Sequence, residues 1–253
     1  IAVSGLLWLL AGAMVKADVS GESPIRSQAK EAQAADKATE KAYVGQQAVE
    51  LLQPEGFSKV SGLYPEADKF IESLKDRFKL NVLAVYAKPD EWALFVNGLA
   101  KGQPRMVPDM AIICSTTRME RKSYDQKGVA KERRHLNNMV GLAINTKPIS
   151  ALMSNRANAK LRDKLGQDVG FSYAIGKDVG KYAENDRSIS FTLMTSLKLY
   201  GLRTDSFVTA SALNVGDKFI YLTWFSPDRT KTGIEQLKVK STAWLEEIAK
   251  LNS

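Results

Sequence analysis

The chain has 253 residues, 44% of them hydrophobic and 25% charged, with a formal net charge of +8. These proportions suit a globular protein. One cysteine, Cys114, and one histidine, His135, exclude an intramolecular disulfide and any metal site built chiefly from Cys and His within one chain.

From Gly5 to Val15 only apolar and small residues occur, and Lys16 ends the run. Val15 and Ala17 stand at the −3 and −1 positions of a signal-peptidase site, so residues 1–17 read as a secretory signal peptide cut between Ala17 and Asp18. A starting Met and a charged region belong upstream of Ile1 on this reading. The competing reading is an uncleaved anchor, but fifteen residues of helix reach only about 22 Å, short of a bilayer core of about 30 Å. No later segment approaches spanning length. The expected location is periplasmic or secreted.

Residues 18–56 are rich in Ala, Gln, Lys and Glu, a composition that predicts a helical arm by propensity. Residues 57–253 read as a single domain. Pro65 with Phe70, Ile71, Leu74 and Phe78 predicts a helix, and "LNVLAVY" (80–86) a buried strand. Pro89 opens a second helix with a Trp92, Phe95, Val96 and Leu99 stripe, closed by Gly102. "DMAIICSTT" (109–117) is a strand, and its flanking residues predict Cys114 as a buried small hydrophobe. Helices are expected over about 125–143 and 150–165.

In the last third, "FSYAI" (171–175) predicts a strand. "SISFTLMTSLKL" alternates with period two and predicts a strand with one face exposed. "DSFVTASALNV" and "KFIYLTWF" flank Gly216-Asp217 as a hairpin. Ile234, Leu237, Trp244, Leu245, Ile248 and Leu251 predict a C-terminal core helix. The expected class is α+β: an antiparallel or mixed sheet of about six strands with helices packed on it and a C-terminal helix. The closing strands and terminal helix resemble the PsbP/Mog1-like layout in outline, with no motif carrying the likeness.

No catalytic constellation is legible. Cys114 and His135 form a Cys–His pair only on paper, since Cys114 lies among isoleucines. "SQAK" (27–30) and "KTG" (231–233) match two of three penicillin-binding-protein patterns, but the third is absent and Lys-Thr-Gly precedes a helix rather than sitting on a strand. "AENDRS" (183–188) lacks calcium-loop spacing and reads as a solvated turn. Phosphate-binding glycine loops are missing. No cofactor is expected.

Charge is the informative feature. Residues 118–164 hold twelve Lys/Arg and four Asp/Glu, and the remaining charges cancel. Lys127, Lys131 and Arg134 recur at helical spacing beside Arg133 and His135, and Arg156, Lys160 and Lys164 recur on the next helix. Tyr124 is the only aromatic in the segment, which argues against nucleic acid, whose single strands are bound by stacking. The expectation is an exported, non-enzymatic bacterial envelope protein whose basic helical face binds an anionic partner: a lipid headgroup, a polysaccharide or an acidic protein. The alternatives are an exported hydrolase with an unrecognised site, or a small-molecule binder using Trp92, Trp224 or Tyr221. Trp224 alternates with Leu222 and Ile220, which favours core packing for it.

Overall fold

The computed structural model describes residues 38–62, 80–100, 108–145, 172–175, 180–199 and 202–253. Expectations for residues 1–37, for the helices at 65–78 and 150–165, and for Arg156, Lys160 and Lys164 lie outside the described residues.

The first described elements correct the helical reading of the arm. Thr39–Val44 (β1) and Gln47–Leu52 (β2) form an antiparallel hairpin. Helix preference among Ala, Gln, Lys and Glu is worth well under 1 kcal/mol per residue. Burying a Val or Leu side chain is worth about 1.5–3 kcal/mol, and Val44, Val49, Leu51 and Leu52 are all buried here. Gly45 makes the turn at φ +63°, and a Cβ there would lie 2.5 Å from the Glu120 carbonyl oxygen. Only glycine fits both the backbone angle and the close approach.

Among the described residues the main sheet has eight strands. β3 (Ser58–Lys59), β4 (Leu80–Ala87), β5 (Met110–Thr116), β10 (Lys218–Ser226), β9 (Leu202–Val215), β8 (Ser188–Leu199) and β6 (Ser172–Ile175) lie in that spatial order, and β7 (Gly180–Glu184) also pairs with β8. Every pairing is antiparallel. The α+β class therefore holds, with more strands than the six expected. β3 is too short for periodicity to show, and β7 carries too few apolar residues. The hairpin at Gly216 forms as the turn residues require, with φ +57°.

Four helices are described. α1 (Pro89–Ala100) starts on proline, with Asp90 and Glu91 favourably placed in its first turn. α2 (Thr117–Arg121) is capped by the Thr116 hydroxyl, which accepts from Met119 N at 3.2 Å. At the start of α3 (Gln126–Asn145), Asp125 Oδ1 accepts from Gly128 N at 2.7 Å. The Thr230 hydroxyl caps α4 (Lys231–Leu251) through Gly233 N at 2.9 Å. The 231–233 motif thus forms the first turn of a helix.

Directly paired residues of antiparallel strands share a face. One face carries Ser190, Ser211, Leu222 and Ile113, then Thr192, Thr209, Trp224 and Ala111. α4 and the hairpin cover it. Trp244 of α4 meets Trp224 and Tyr86 edge-on, with ring centroids at 5.8 and 6.3 Å, and its Nε1 donates to Leu52 O at 2.7 Å. The other face carries Ile189, Ala212, Tyr221 and Cys114, then Phe191, Ala210, Thr223 and Ile112. α2 and α3 lie over it.

Two covering layers correct the half-exposed reading of β8. Ser188, Ser190 and Thr192 alternate with apolar residues, yet all three are buried. Small hydroxyl side chains let α4 approach, and the Ser190 and Ser211 hydroxyls pair at 2.8 Å.

Candidate functional site

α3 places the basic residues. A helix advances about 100° per residue, so Val129, Glu132 and Leu136 share one side, and all three are buried. Lys127, Lys131 and Arg134 fall on the opposite side, with His135 on the flank between the two sides, and all four are exposed. Lys127 to Arg134 spans about 10 Å of helix axis. Among the described residues no carboxylate pairs with these three cations.

The acidic residues of the segment that are described are diverted from this surface. Glu120 accepts from the Ser115 hydroxyl at 2.8 Å, and Asp125 caps α3. Glu132, 4% exposed, accepts from Arg118 Nη2 at 3.0 Å beneath the helix. The outward positive charge is therefore not neutralised locally.

Under α2 and α3 the sheet presents a buried polar cluster. Tyr221 and Thr223 of β10 and Tyr124 between α2 and α3 are buried, and among the described residues their hydroxyls have no partner. Burial pushes the Tyr221 phenol well up, with the Glu132 charge adding to the effect. Burial pushes the Tyr124 phenol up too, and Glu132 again adds. Cys114 has 0% exposure, and desolvation alone drives its thiol upward. A neutral, inaccessible thiol is no nucleophile. His135 is exposed on the flank of α3 while Cys114 is wholly buried, so the Cys114–His135 pair is not assembled.

Trp92, Trp224 and Tyr221 are buried and offer no ligand surface. The Trp224 ring packs edge-on against Phe57 at 5.0 Å, and its Nε1 donates to Asp109 Oδ1 at 2.8 Å. A cleft of about 620 Å³ opens elsewhere, at one end of the sheet. The start of α3 forms one wall with Gln126, Val129, Ala130 and Arg133. The β7–β8 turn supplies Asp186 and Arg187, and the β9–β10 turn and the end of α4 close the other sides.

In the sequence Arg133 belongs to the basic group and 183–188 reads as a solvated turn, with nothing that joins the two. The only local signals were Arg187 within an acidic turn and Gly216 in a hairpin. Strand register, rather than any motif, makes them neighbours.

No protein-family model and no curated protein matches this chain. Among the described residues no helix is long and apolar enough to cross a membrane.

Proposed function

We propose that this is an exported, non-enzymatic protein of the bacterial envelope that holds an anionic partner on the outer face of α3. The observation that carries the reading is the separation within one helix: Val129, Glu132 and Leu136 inward, Lys127, Lys131 and Arg134 outward, with His135 exposed on the flank. The apolar run before Ala17-Asp18 supports export to the periplasm or beyond.

The outward exposed residues of α3 from 126 to 138 are all polar. An interfacial membrane helix needs an exposed apolar face to sink into the acyl boundary, and the apolar side of α3 is already seated on the sheet. Attraction by charge at a distance remains, which suits an acidic polysaccharide over an inserted bilayer contact.

The test is binding to polygalacturonate and to phosphatidylglycerol vesicles across a salt series. Binding to the polymer should weaken steeply with salt, because exposed charges are screened over about 8–10 Å at physiological ionic strength. The combined substitution Lys127→Glu, Lys131→Glu and Arg134→Glu should abolish it. Polymer binding indifferent to salt and to these three residues would remove the reading.

A further inference from the structure

We infer that the cleft between α3 and the β7–β8 turn is a binding site for one acidic sugar unit, its acid a carboxylate or a phosphate. The inference deepens the reading above, because α3 supplies both the basic stripe and one wall of the cleft.

Size comes first. A volume of about 620 Å³ lies within the range of about 300–1,000 Å³ typical of small-molecule sites. Charge comes next. Arg133 and Arg187 stand on different walls, and neither has a carboxylate to itself among the described residues. Among the described residues the Arg187 side chain donates to neutral acceptors: Nε and Nη2 to Asn214 O at 3.4 and 3.3 Å, Nη2 to Asn252 O at 3.3 Å, and Nη1 to Ser253 Oγ at 3.4 Å. These are long bonds, so the guanidinium charge is held in place but weakly compensated.

Arg133, its side chain 16% exposed, reaches Glu184 at 3.3 Å and also donates to Asn185 O. Glu184 is shared with Lys181 at 2.6 Å, and among the described residues the buried Arg133 Nε has no partner. Two guanidinium groups across one cleft, one paired to a shared carboxylate and the other held by neutral acceptors, suit an oxyanion, for which arginine's planar fork is made.

The rest of the lining selects within the anions. Asp186 is exposed in the same cleft, and its carboxylate can only accept hydrogen bonds when ionised. It repels a bare anion but accepts from hydroxyl groups. Ala130, half-buried, presents an apolar strip, with Tyr124 and Val129 buried behind it. The Asn214 and Asn252 side chains are already used, on Lys218 O and on Glu50 and Ile248, so they serve as rigid wall. Cations, a hydroxyl acceptor and an apolar strip together fit a ligand with an acid, several hydroxyls and a C–H face. An acidic sugar has all three.

Position links the cleft to the stripe. Gln126, Ala130 and Arg133 occupy the flank of α3 next to the line of Lys127, Lys131 and Arg134. A polyanionic glycan crossing the stripe can therefore lower one unit into the cleft.

The experiment is an NMR titration of the intact protein with glucuronate, glucose 6-phosphate and glucose. The acidic sugars should shift the backbone amides of Ala130, Asp186 and Gly216, and glucose should bind at least about tenfold more weakly for want of the charged contact. Which acid binds more tightly identifies the source as uronic or phosphorylated. Ala130→Trp, which fills the cleft, should abolish the shifts. Gln126→Glu, at an exposed lining position, should weaken both acids by about threefold to tenfold through charge repulsion. The Lys127, Lys131 and Arg134 charge reversal should weaken both acids more than Gln126→Glu does, through the field beside the cleft, with the shifts at saturation still on the same amides. Shifts absent for both acids, equal for glucose, or intact in Ala130→Trp overturn the inference. If polymer binding persists while the sugar units fail, the cleft reading falls alone; if the sugars bind and the polymer does not, only the stripe reading falls.

Discussion

α3 and α4 have nearly equal lengths, 20 and 21 residues, and cover opposite faces of one sheet. They use their sequences differently. α4 buries Gly233, Leu237, Ser241, Trp244, Leu245 and Ile248 along its length. Its far end is locked to β2, where Asn252 Oδ1 accepts from Glu50 N and Asn252 Nδ2 donates to Glu50 O, both at 2.8 Å. α3 places a carboxylate, Glu132, inside its buried side and turns Lys127, Lys131 and Arg134 to solvent. One helix completes the core. The other carries charge on a platform that the core makes rigid.

The strongest way to break this contrast is Trp244→Ala in α4. The indole packs on Trp224 and Tyr86 and holds Leu52 O, so its loss should cost about 3–5 kcal/mol, measured by urea unfolding. Gly45→Ala comes next, at about 1–3 kcal/mol, because the Cβ would press on the Glu120 carbonyl at a left-handed backbone angle. It should loosen the hairpin from α2, seen as faster amide exchange in β1 and β2. Glu132→Leu probes the inner side of α3 and carries the opposite sign. Arg118, 60% exposed, returns to water while an apolar group fills the buried position. The variant should be as stable as the parent or more stable by about 1 kcal/mol, by thermal unfolding.

A smaller effect separates the faces by pH. Asp109 lies under Trp224, and burial raises its carboxyl above the ordinary 3.8 although the indole bond opposes this. The folded state then holds the proton more tightly than the unfolded chain does. This group's contribution to stability therefore falls as pH rises from its ordinary value through its raised one. Asp109→Asn keeps an acceptor for Trp224 and removes the titration. Relative to the variant, the parent should lose stability across that interval and run parallel to it above. The smallest expected change in stability is the outward charge reversal at Lys127, Lys131 and Arg134, within about 0.5 kcal/mol by urea unfolding, since these side chains are exposed. A large loss there would erase the distinction between the two helices.

Much of the fold was legible because apolar spacing reports burial directly. The strands around Val85, Ile112 and Trp224 and the stripe from Leu237 to Ile248 appeared where period two and period 3.6 placed them. Thr39–Leu52 was not legible as a hairpin, because its helix-favouring composition is overruled by packing against α4. The outward basic line of α3 was legible for the same reason as the strands. The cleft was not: Arg133 and Arg187 are 54 positions apart, and nothing near either points to the other.

By itself the sequence determined which residues seek the interior, where turns fall, and that all the excess positive charge lies in 118–164. Those are local properties of side-chain chemistry and spacing. Only the tertiary structure decided that β8 is covered on both faces, that Glu132 is withdrawn from the basic surface, and that two distant arginines share one cleft. Register and layer packing are collective. They depend on every strand at once, and no short stretch of chain contains them.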